Sequence, residues 1–490
     1  MKLYEKLADA IGDQIQRGVV LPGDRIPSVR QTSLNHHLSI TTVIRAYLLL
    51  ESRGMIESRP QSGYFVRARS VAGTKPATLQ AATPDASAEP SQIDISGLVL
   101  STLQSIGVDG AVPLGSPYPD TALFPLQRIN RYAHAIARQQ TFWGVPSELP
   151  PGKPELIRQI ARRYLENGAA VDPDEIVVTL GATEAINLCL QAVARPGDAI
   201  AVESPTFYAI SHIIERMGMR VVEVPTDQKA GIDVSALAKL IESKQVDACL
   251  LMPNFHNPLG YQMPDERKRE LVELTNRHHV PVIENAVYNE LYFGDAPPGT
   301  LKSYDTQGLV LQCASFSKSL TPALRIGWVL AGRYRANIER LKLLNTLTTP
   351  SSAQLAIAEF LENDSYDHHL RRVRRTLMQH ASLMRSAVER FFPEGTKMTN
   401  PAGGYLLWIE LPRSTDSMRL YKSALDNGIT IGPGCMFSRS GNFGDAFRLN
   451  YSYAWTPEIE GAVVTLGKLA SRYAALQRKE EGEERDLAIR

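Results

Sequence analysis

Ser315-Phe316-Ser317-Lys318-Ser319-Leu320, running on to Arg325-Ile326-Gly327-Trp328, is the stretch around which the chain is arranged. Two hydroxyls alternate in front of a lysine, an arginine follows seven residues later, and a short apolar strand begins directly after it. Such a lysine is a nucleophile for an aldehyde, and Ser315, Ser317 and Arg325 together suit a phosphate dianion, the arginine as a fork-shaped donor. Because a serine-serine-lysine pattern is weak alone, its meaning depends on what lies at neighbouring strand ends.

Outward from this stretch, short apolar runs alternate with helical segments, the pattern of a mostly parallel sheet wound by helices. The strands expected are 175–180, 199–202, 248–252, 280–283, 309–313 and 327–330. Polar residues follow most of them, where such sheets bind ligands. After the first comes Gly181-Ala182-Thr183-Glu184-Ala185, opening a helix whose free N–H groups attract phosphate. After later strands come Glu203-Ser204-Pro205-Thr206-Phe207-Tyr208, Pro253-Asn254-Phe255-His256-Asn257-Pro258-Leu259-Gly260 and Glu284-Asn285-Ala286-Val287-Tyr288.

The N-terminal segment has a different grammar. Leu3, Leu7, Ile11 and Ile15 recur at helical spacing until Gly18, Leu21-Pro22-Gly23-Asp24 is a turn, and a short helix is expected from Ser28 to about His36. Ser39 caps a third helix whose apolar face is Val43, Ala46, Tyr47 and Leu50. Two alternating segments, 55–59 and 64–67, flank Pro60-Gln61-Ser62-Gly63 as a hairpin. Three helices and a hairpin, with polar residues at the start of the third helix, make a winged helix-turn-helix. Residues 1–70 hold ten Lys or Arg against six Asp or Glu, an excess that suits a polyanion.

Both regions resemble known families. Residues 3–67 are similar to the DNA-binding domain of GntR-type repressors, through Leu21-Pro22-Gly23-Asp24-Arg25-Ile26-Pro27-Ser28-Val29-Arg30, Thr42-Val43-Ile44-Arg45-Ala46-Tyr47 and Ser58-Arg59-Pro60-Gln61-Ser62-Gly63-Tyr64-Phe65-Val66. The resemblance implies Arg30 and Arg45 as phosphate or base contacts, Ser39, Thr41 and Thr42 at the tip of the recognition helix, and Gln61, Ser62 and Gly63 as the wing. Ile40 stands where a polar or basic residue is common, and His37 where a turn glycine is frequent.

The remainder resembles the fold-type I aminotransferases, which depend on pyridoxal phosphate (PLP). That resemblance implies Lys318 as the Schiff-base lysine, with Ser315, Ser317, Arg325, Gly181, Ala182 and Thr183 around the phosphate. It implies Phe207 stacked on the ring, with Tyr208 as the alternative, and Asn257 and Tyr288 reaching the phenolic oxygen. Phe447-Arg448-Leu449-Asn450-Tyr451-Ser452 resembles the segment whose arginine clamps a substrate carboxylate, and Gly115-Ser116-Pro117-Tyr118-Pro119-Asp120 the substrate-side segment, giving Arg448 and Tyr118. The family's phosphate-binding tyrosine segment corresponds to Phe142-Trp143-Gly144-Val145, which has no tyrosine.

Together the two halves resemble MocR-type transcriptional regulators. The expected fold is therefore α/β, an N-terminal winged helix-turn-helix plus the large and small domains of a fold-type I PLP-dependent transferase. The division expected is DNA-binding domain 1–69, flexible Ala/Thr/Ser/Pro linker 70–94, aminotransferase-like domain 95–476 and charged tail 477–490. A length of 490 residues suits two or three domains, and a composition 43% hydrophobic and 21% charged is that of a globular chain. The four cysteines show no paired spacing, so neither a disulfide framework nor a metal site is expected. The N-terminus lacks an apolar h-region and no later run is long enough to span a membrane, so a cytoplasmic protein is expected, and the aminotransferase resemblance, whose fold builds its site at a subunit interface, implies a homodimer.

The function implied is PLP-binding transcriptional regulation, with double-stranded DNA as partner and an amino acid, an amine or PLP itself as effector. The alternative is a working aminotransferase carrying an accessory DNA-binding domain. Asn285 separates the two, because the family places an aspartate there, three residues before the tyrosine, to keep the pyridine nitrogen protonated. A neutral amide makes a poorer electron sink, so weak or absent transamination is expected. Glu284 replaces that acid only if its side chain turns to the other face of the strand.

Overall fold

A computed structural model describes residues 2–60, 62–67, 104, 110–139, 149–412 and 415–488, apart from the side chains of 139 and of residues beyond 476. The expected linker, Gln61 and the 142–145 segment lie outside the described residues. The chain divides into two compact units, Met1–Pro90 and Ser91–Arg490.

In the first unit α1 (Leu3–Gln16), α2 (Val29–His36) and α3 (Ile40–Ser52) precede the antiparallel pair β1 (Ile56–Arg59) and β2 (Gly63–Val66). Ser28 caps α2 by accepting from the Gln31 N–H, and Ser39 caps α3 by accepting from the Thr42 N–H. His37 ends α2 with φ +53, the left-handed conformation that favours glycine, which gives a physical reason why glycine is frequent at this turn. Leu7, Ala8, Val43, Ala46, Tyr47, Leu50, Ile56 and Val66 form one small core. Within it the Tyr47 hydroxyl donates to the Pro27 carbonyl at 2.7 Å and accepts from Thr32 at 2.6 Å, tying α3 to α2 and the turn before it.

The second unit is built on an eight-stranded sheet in the order β3-β10-β9-β8-β7-β4-β5-β6. Its strands are β3 (Ile176–Thr179), β4 (Ala199–Ser204), β5 (Arg220–Asp227), β6 (Gly231–Ile232), β7 (Ala248–Leu251), β8 (Val282–Asn285), β9 (Val310–Ser315) and β10 (Gly327–Leu330). Strands β3, β7, β8, β9 and β10 are buried throughout, which accounts for their continuous apolar runs. Expected boundaries shift by a residue or two. Strand β8 runs on to Asn285 because that residue still pairs with Cys313 of β9. Strand β5 is absent from the expected set because its pattern is mixed and partly exposed.

Strand β10 is antiparallel to both neighbours, with Gly327 opposite Thr179 on one side and Ser315 on the other. The residues that precede β10 therefore reach the same edge as those that follow β3 and β9. That reversal is what carries Arg325 to Gly181 and Ser315. A second sheet, β11-β12-β14-β13, is antiparallel throughout: β11 (Lys397–Met398), β12 (Leu406–Glu410), β13 (Gly432–Pro433) and β14 (Ala446–Asn450). A 26-residue helix, Tyr366–Phe391, leads toward it, and its Val373, Leu377, Met384 and Val388 join a core with Leu407, Ile409 and Phe447. The final helix, Pro457–Ala488, continues into the segment read as a charged tail.

Candidate functional site

At the edge where β3, β4, β7, β8 and β9 end lies a cavity of about 480 Å³. Its wall includes Ala182, Thr183, Phe207, Tyr208, Asn257, Asn285, Tyr288, Ser315, Ser317, Lys318, Arg325 and Tyr118. These are residues from seven separate chain segments, brought together by the sheet order rather than by sequence. Among the described residues, no carboxylate lines it.

The Lys318 amine donates to the Pro117 carbonyl at 2.9 Å and lies 4.6 Å from the centre of the Tyr118 ring. Burial, reinforced by the Arg448 and Arg325 charges, pushes this amine down to about 7, so much of it is unprotonated near neutral pH. Tyr405 also donates to the Pro117 carbonyl, at 2.8 Å, and accepts from Tyr288 at 3.2 Å. Tyr288, pushed up to about 12 mainly by burial, keeps its proton.

Arg325, in the left-handed region at φ +53, sends its guanidinium across Gly181 toward the Leu180 carbonyl, 3.4 Å away. Gly181 has φ +82, and a Cβ there would lie 2.8 Å from the arginine Nη2. The glycine thus allows a cation to sit over the first turn of helix Ala182–Val193, whose opening N–H groups have no intrahelical acceptor. The Ser317 hydroxyl is buried with no partner among the described residues.

Asn285 is 6% exposed, and its Oδ1 has no partner among the described residues either. The adjacent Glu284 faces away, accepting from the Leu301 and Lys302 N–H groups and from the Gln312 amide. It does not take the place of an aspartate at Asn285.

Arg448 is placed differently from the wall residues. It is 1% exposed and donates to the Asn257 Oδ1 at 3.0 Å and to the Gly115 carbonyl at 2.7 Å. It stands behind Asn257 rather than on the wall, and its buried Nε has no partner among the described residues. Asn257 accepts this bond through oxygen and keeps its amide N–H groups for the cavity. Tyr405 and the Pro117 carbonyl were not legible as site members. Gly403, two residues before Tyr405, is required by close packing, since a Cβ there would collide with Phe255, and gives no sign of a site role.

The basic face of the first unit is built in the opposite way. Arg30 and Arg45 are exposed and form no ion pair among the described residues, whereas Arg17, Arg53 and Arg59 are paired with Asp13, Asp9 and Glu57. Thr41 is exposed, while the Ser39 and Thr42 hydroxyls bond each other at 2.8 Å. Ser62 lies in the hairpin turn, and Gly63, at φ +101, faces the Arg25 side chain, which a Cβ would approach to 3.2 Å. Gln61 lies outside the described residues.

The fold and site define a protein with a winged helix joined to a fold-type I aminotransferase body. Residues 125–462 match the aminotransferase class I and II family, and residues 3–66 match the bacterial regulatory proteins of the gntR family. The chain is 42% identical to the HTH-type transcriptional regulator YdcR of Escherichia coli, over 96% of this chain and 99% of that protein. It is 34% identical to the Escherichia coli HTH-type regulator YjiR, again over 96% and 99%. Among solved structures, the α-aminoadipate aminotransferase LysN of Thermus thermophilus superposes with a TM-score of 0.71 at 26% identity, covering 78% of this chain and 97% of that one. The chain belongs to the MocR-like family of transcriptional regulators, a GntR-type winged helix fused to an aminotransferase class I/II domain. No described helix is long and apolar enough to cross a membrane.

Proposed function

We propose that this regulator holds PLP on Lys318, recognises an amino acid, an amine or PLP itself there, and reports occupancy through its winged helix on double-stranded DNA. The observation that carries this reading is a lysine amine near neutrality, at about 7, on the wall of a cavity that also presents a cation and buried polar atoms without partners among the described residues. These residues fit the group. Arg325, Ser315, Ser317 and the helix start at Gly181, Ala182 and Thr183 would hold its phosphate, Asn257 and Tyr288 its phenolic oxygen, and Phe207 its ring face.

Bound PLP supplies an aldehyde that condenses with primary amines and a ring that withdraws electrons. The chain's own contributions are separable. Lys318 offers an unprotonated amine near pH 7. The Tyr288–Tyr405–Pro117 relay fixes the lysine's hydrogen-bond partner, so the amine is held at one position. Arg448, whose Nε has no partner among the described residues, would take a ligand carboxylate. Asn285 would offer a bound ring nitrogen a neutral amide in place of a negative charge, and Glu284 is committed elsewhere. Capture of an amine is thereby retained while the electron sink is weakened, which favours sensing over turnover as a working aminotransferase.

A cytoplasmic homodimer is part of this reading, since two-fold proteins read repeated half-sites. Purified protein with added PLP is expected to show a visible absorbance band that Lys318→Ala removes. Absence of the band in the wild type would refute PLP binding.

A further inference from the structure

Helix α3 carries large apolar side chains on a face left open by the described residues of its own unit. Ile40, Ile44 and Leu48 are 49%, 38% and 52% exposed and recur every four residues, so they form one line along the helix. The core is served by another face, Val43, Ala46, Tyr47 and Leu50. Scattered exposed aliphatics need no account, but three in a line on a recognition helix do.

We infer that Ile40 and Ile44 read thymine C5-methyl groups in the major groove, making them specificity-determining residues of each half-site. This rests on the DNA-binding reading above. Ile40 is the first residue of α3, directly after the Ser39 cap, and it is the N-terminal part of such a helix that meets base edges. At a rise of about 1.5 Å per residue, Ile40 and Ile44 stand about 6 Å apart, close to two base-pair steps. Thymine is the base that presents a methyl group in that groove, and aliphatic side chains are its natural contact.

The neighbouring polar groups strengthen the assignment. The Ser39 hydroxyl is occupied in capping α3 and in bonding Thr42, which leaves Ile40 and the exposed Thr41 at the helix tip. The occupant is a nucleic acid rather than an apolar protein surface, because the exposed Arg45 adjoins Ile44 on the same helix, and residues 1–70 carry four more basic than acidic groups. Leu48 lies about 12 Å from Ile40 along the axis and serves as the internal control.

The test uses the full-length protein and an operator selected from a randomised duplex library. Each operator thymine is replaced in turn by deoxyuridine, which removes the methyl group alone. Affinity is expected to fall about fourfold at a position read by one methyl contact. Ile40→Ala and Ile44→Ala should each make the protein indifferent to the methyl at one such position while melting like the wild type. Leu48→Ala should keep the full discrimination. Unchanged affinity for every deoxyuridine duplex would overturn the assignment, as would thymine discrimination that survives in the Ile40→Ala/Ile44→Ala double variant. Failure of the wild type to select any duplex would overturn the DNA-binding reading and this inference together.

Discussion

The two units solve recognition in opposite physical regimes. In the winged helix, the residues proposed to meet the ligand are exposed cations and aliphatics on a scaffold held by a small core, with Arg30 and Arg45 free of ion pairs among the described residues. In the aminotransferase body, Arg325, Thr183 and Tyr118 are exposed too, but the groups that set the chemistry are withdrawn from water: Asn285 and Arg448 are 6% and 1% exposed, and burial itself sets the state of Lys318. An exposed charge acts at a distance and is screened by salt. A buried amine acts through its depressed affinity for protons and is governed by pH. Salt and pH therefore address the two halves of one chain separately.

The larger of these effects belongs to the body. With the amine at about 7 rather than its ordinary 10.5, the neutral, nucleophilic form accumulates as pH rises through 7. The rate of PLP capture, followed by stopped-flow absorbance, is expected to rise about tenfold between pH 6 and 8 and then level off. An ordinary lysine would keep gaining well beyond pH 9. The sign for stability is the same: the folded state binds fewer protons than the unfolded chain between about 7 and 10.5, so the apo-protein gains stability as pH rises through that window, and Lys318→Met removes the gain. Capture that accelerates beyond pH 9 would break the contrast.

How much of this is readable in the sequence follows from the same division. The helices and hairpin of the first unit are legible because caps, turns and apolar spacing are local, and Ser28 and Ser39 cap the helices they begin. The Tyr47 bonds to Thr32 and Pro27 are not, because they join residues up to 20 positions apart through a side chain whose spacing marks it only as core. In the body, most of the expected strand ends announce a polar residue. The antiparallel β10 that brings Arg325 to Gly181 is a property of sheet order, which no single segment encodes. The Tyr405–Pro117–Lys318 arrangement joins positions more than 200 residues apart and leaves no local trace. The mixed pattern of β5, with Arg220, Pro225 and Asp227 exposed, conceals a strand that alternation and apolar runs would reveal.

The smaller effect belongs to the winged helix. Arg30→Ala is expected to lower affinity evenly across DNA sequences and reduce the salt slope by about one, so that the loss relative to wild type shrinks about fourfold between 50 and 200 mM salt. Arg45→Ala would instead relax selection at one base, with a smaller change in slope. Titration of duplex DNA at several salt concentrations separates them. An Arg30→Ala slope equal to that of the wild type would remove this residue from the phosphate contacts. PLP capture by the same variant should match the wild type.

The central claim is that the body has kept amine capture and weakened the chemistry that follows it, through an amide at position 285 and a glutamate whose oxygens are already bonded. Single-turnover spectra with PLP-loaded protein and an amino acid it binds test this directly. The wild type should convert its cofactor to pyridoxamine phosphate far more slowly than the ~1 s⁻¹ at the lower end of ordinary enzyme turnover, and Asn285→Asp should accelerate that conversion without changing the initial capture. Conversion by the wild type at an ordinary aminotransferase rate, or an Asn285→Asp variant no faster than wild type, would contradict it.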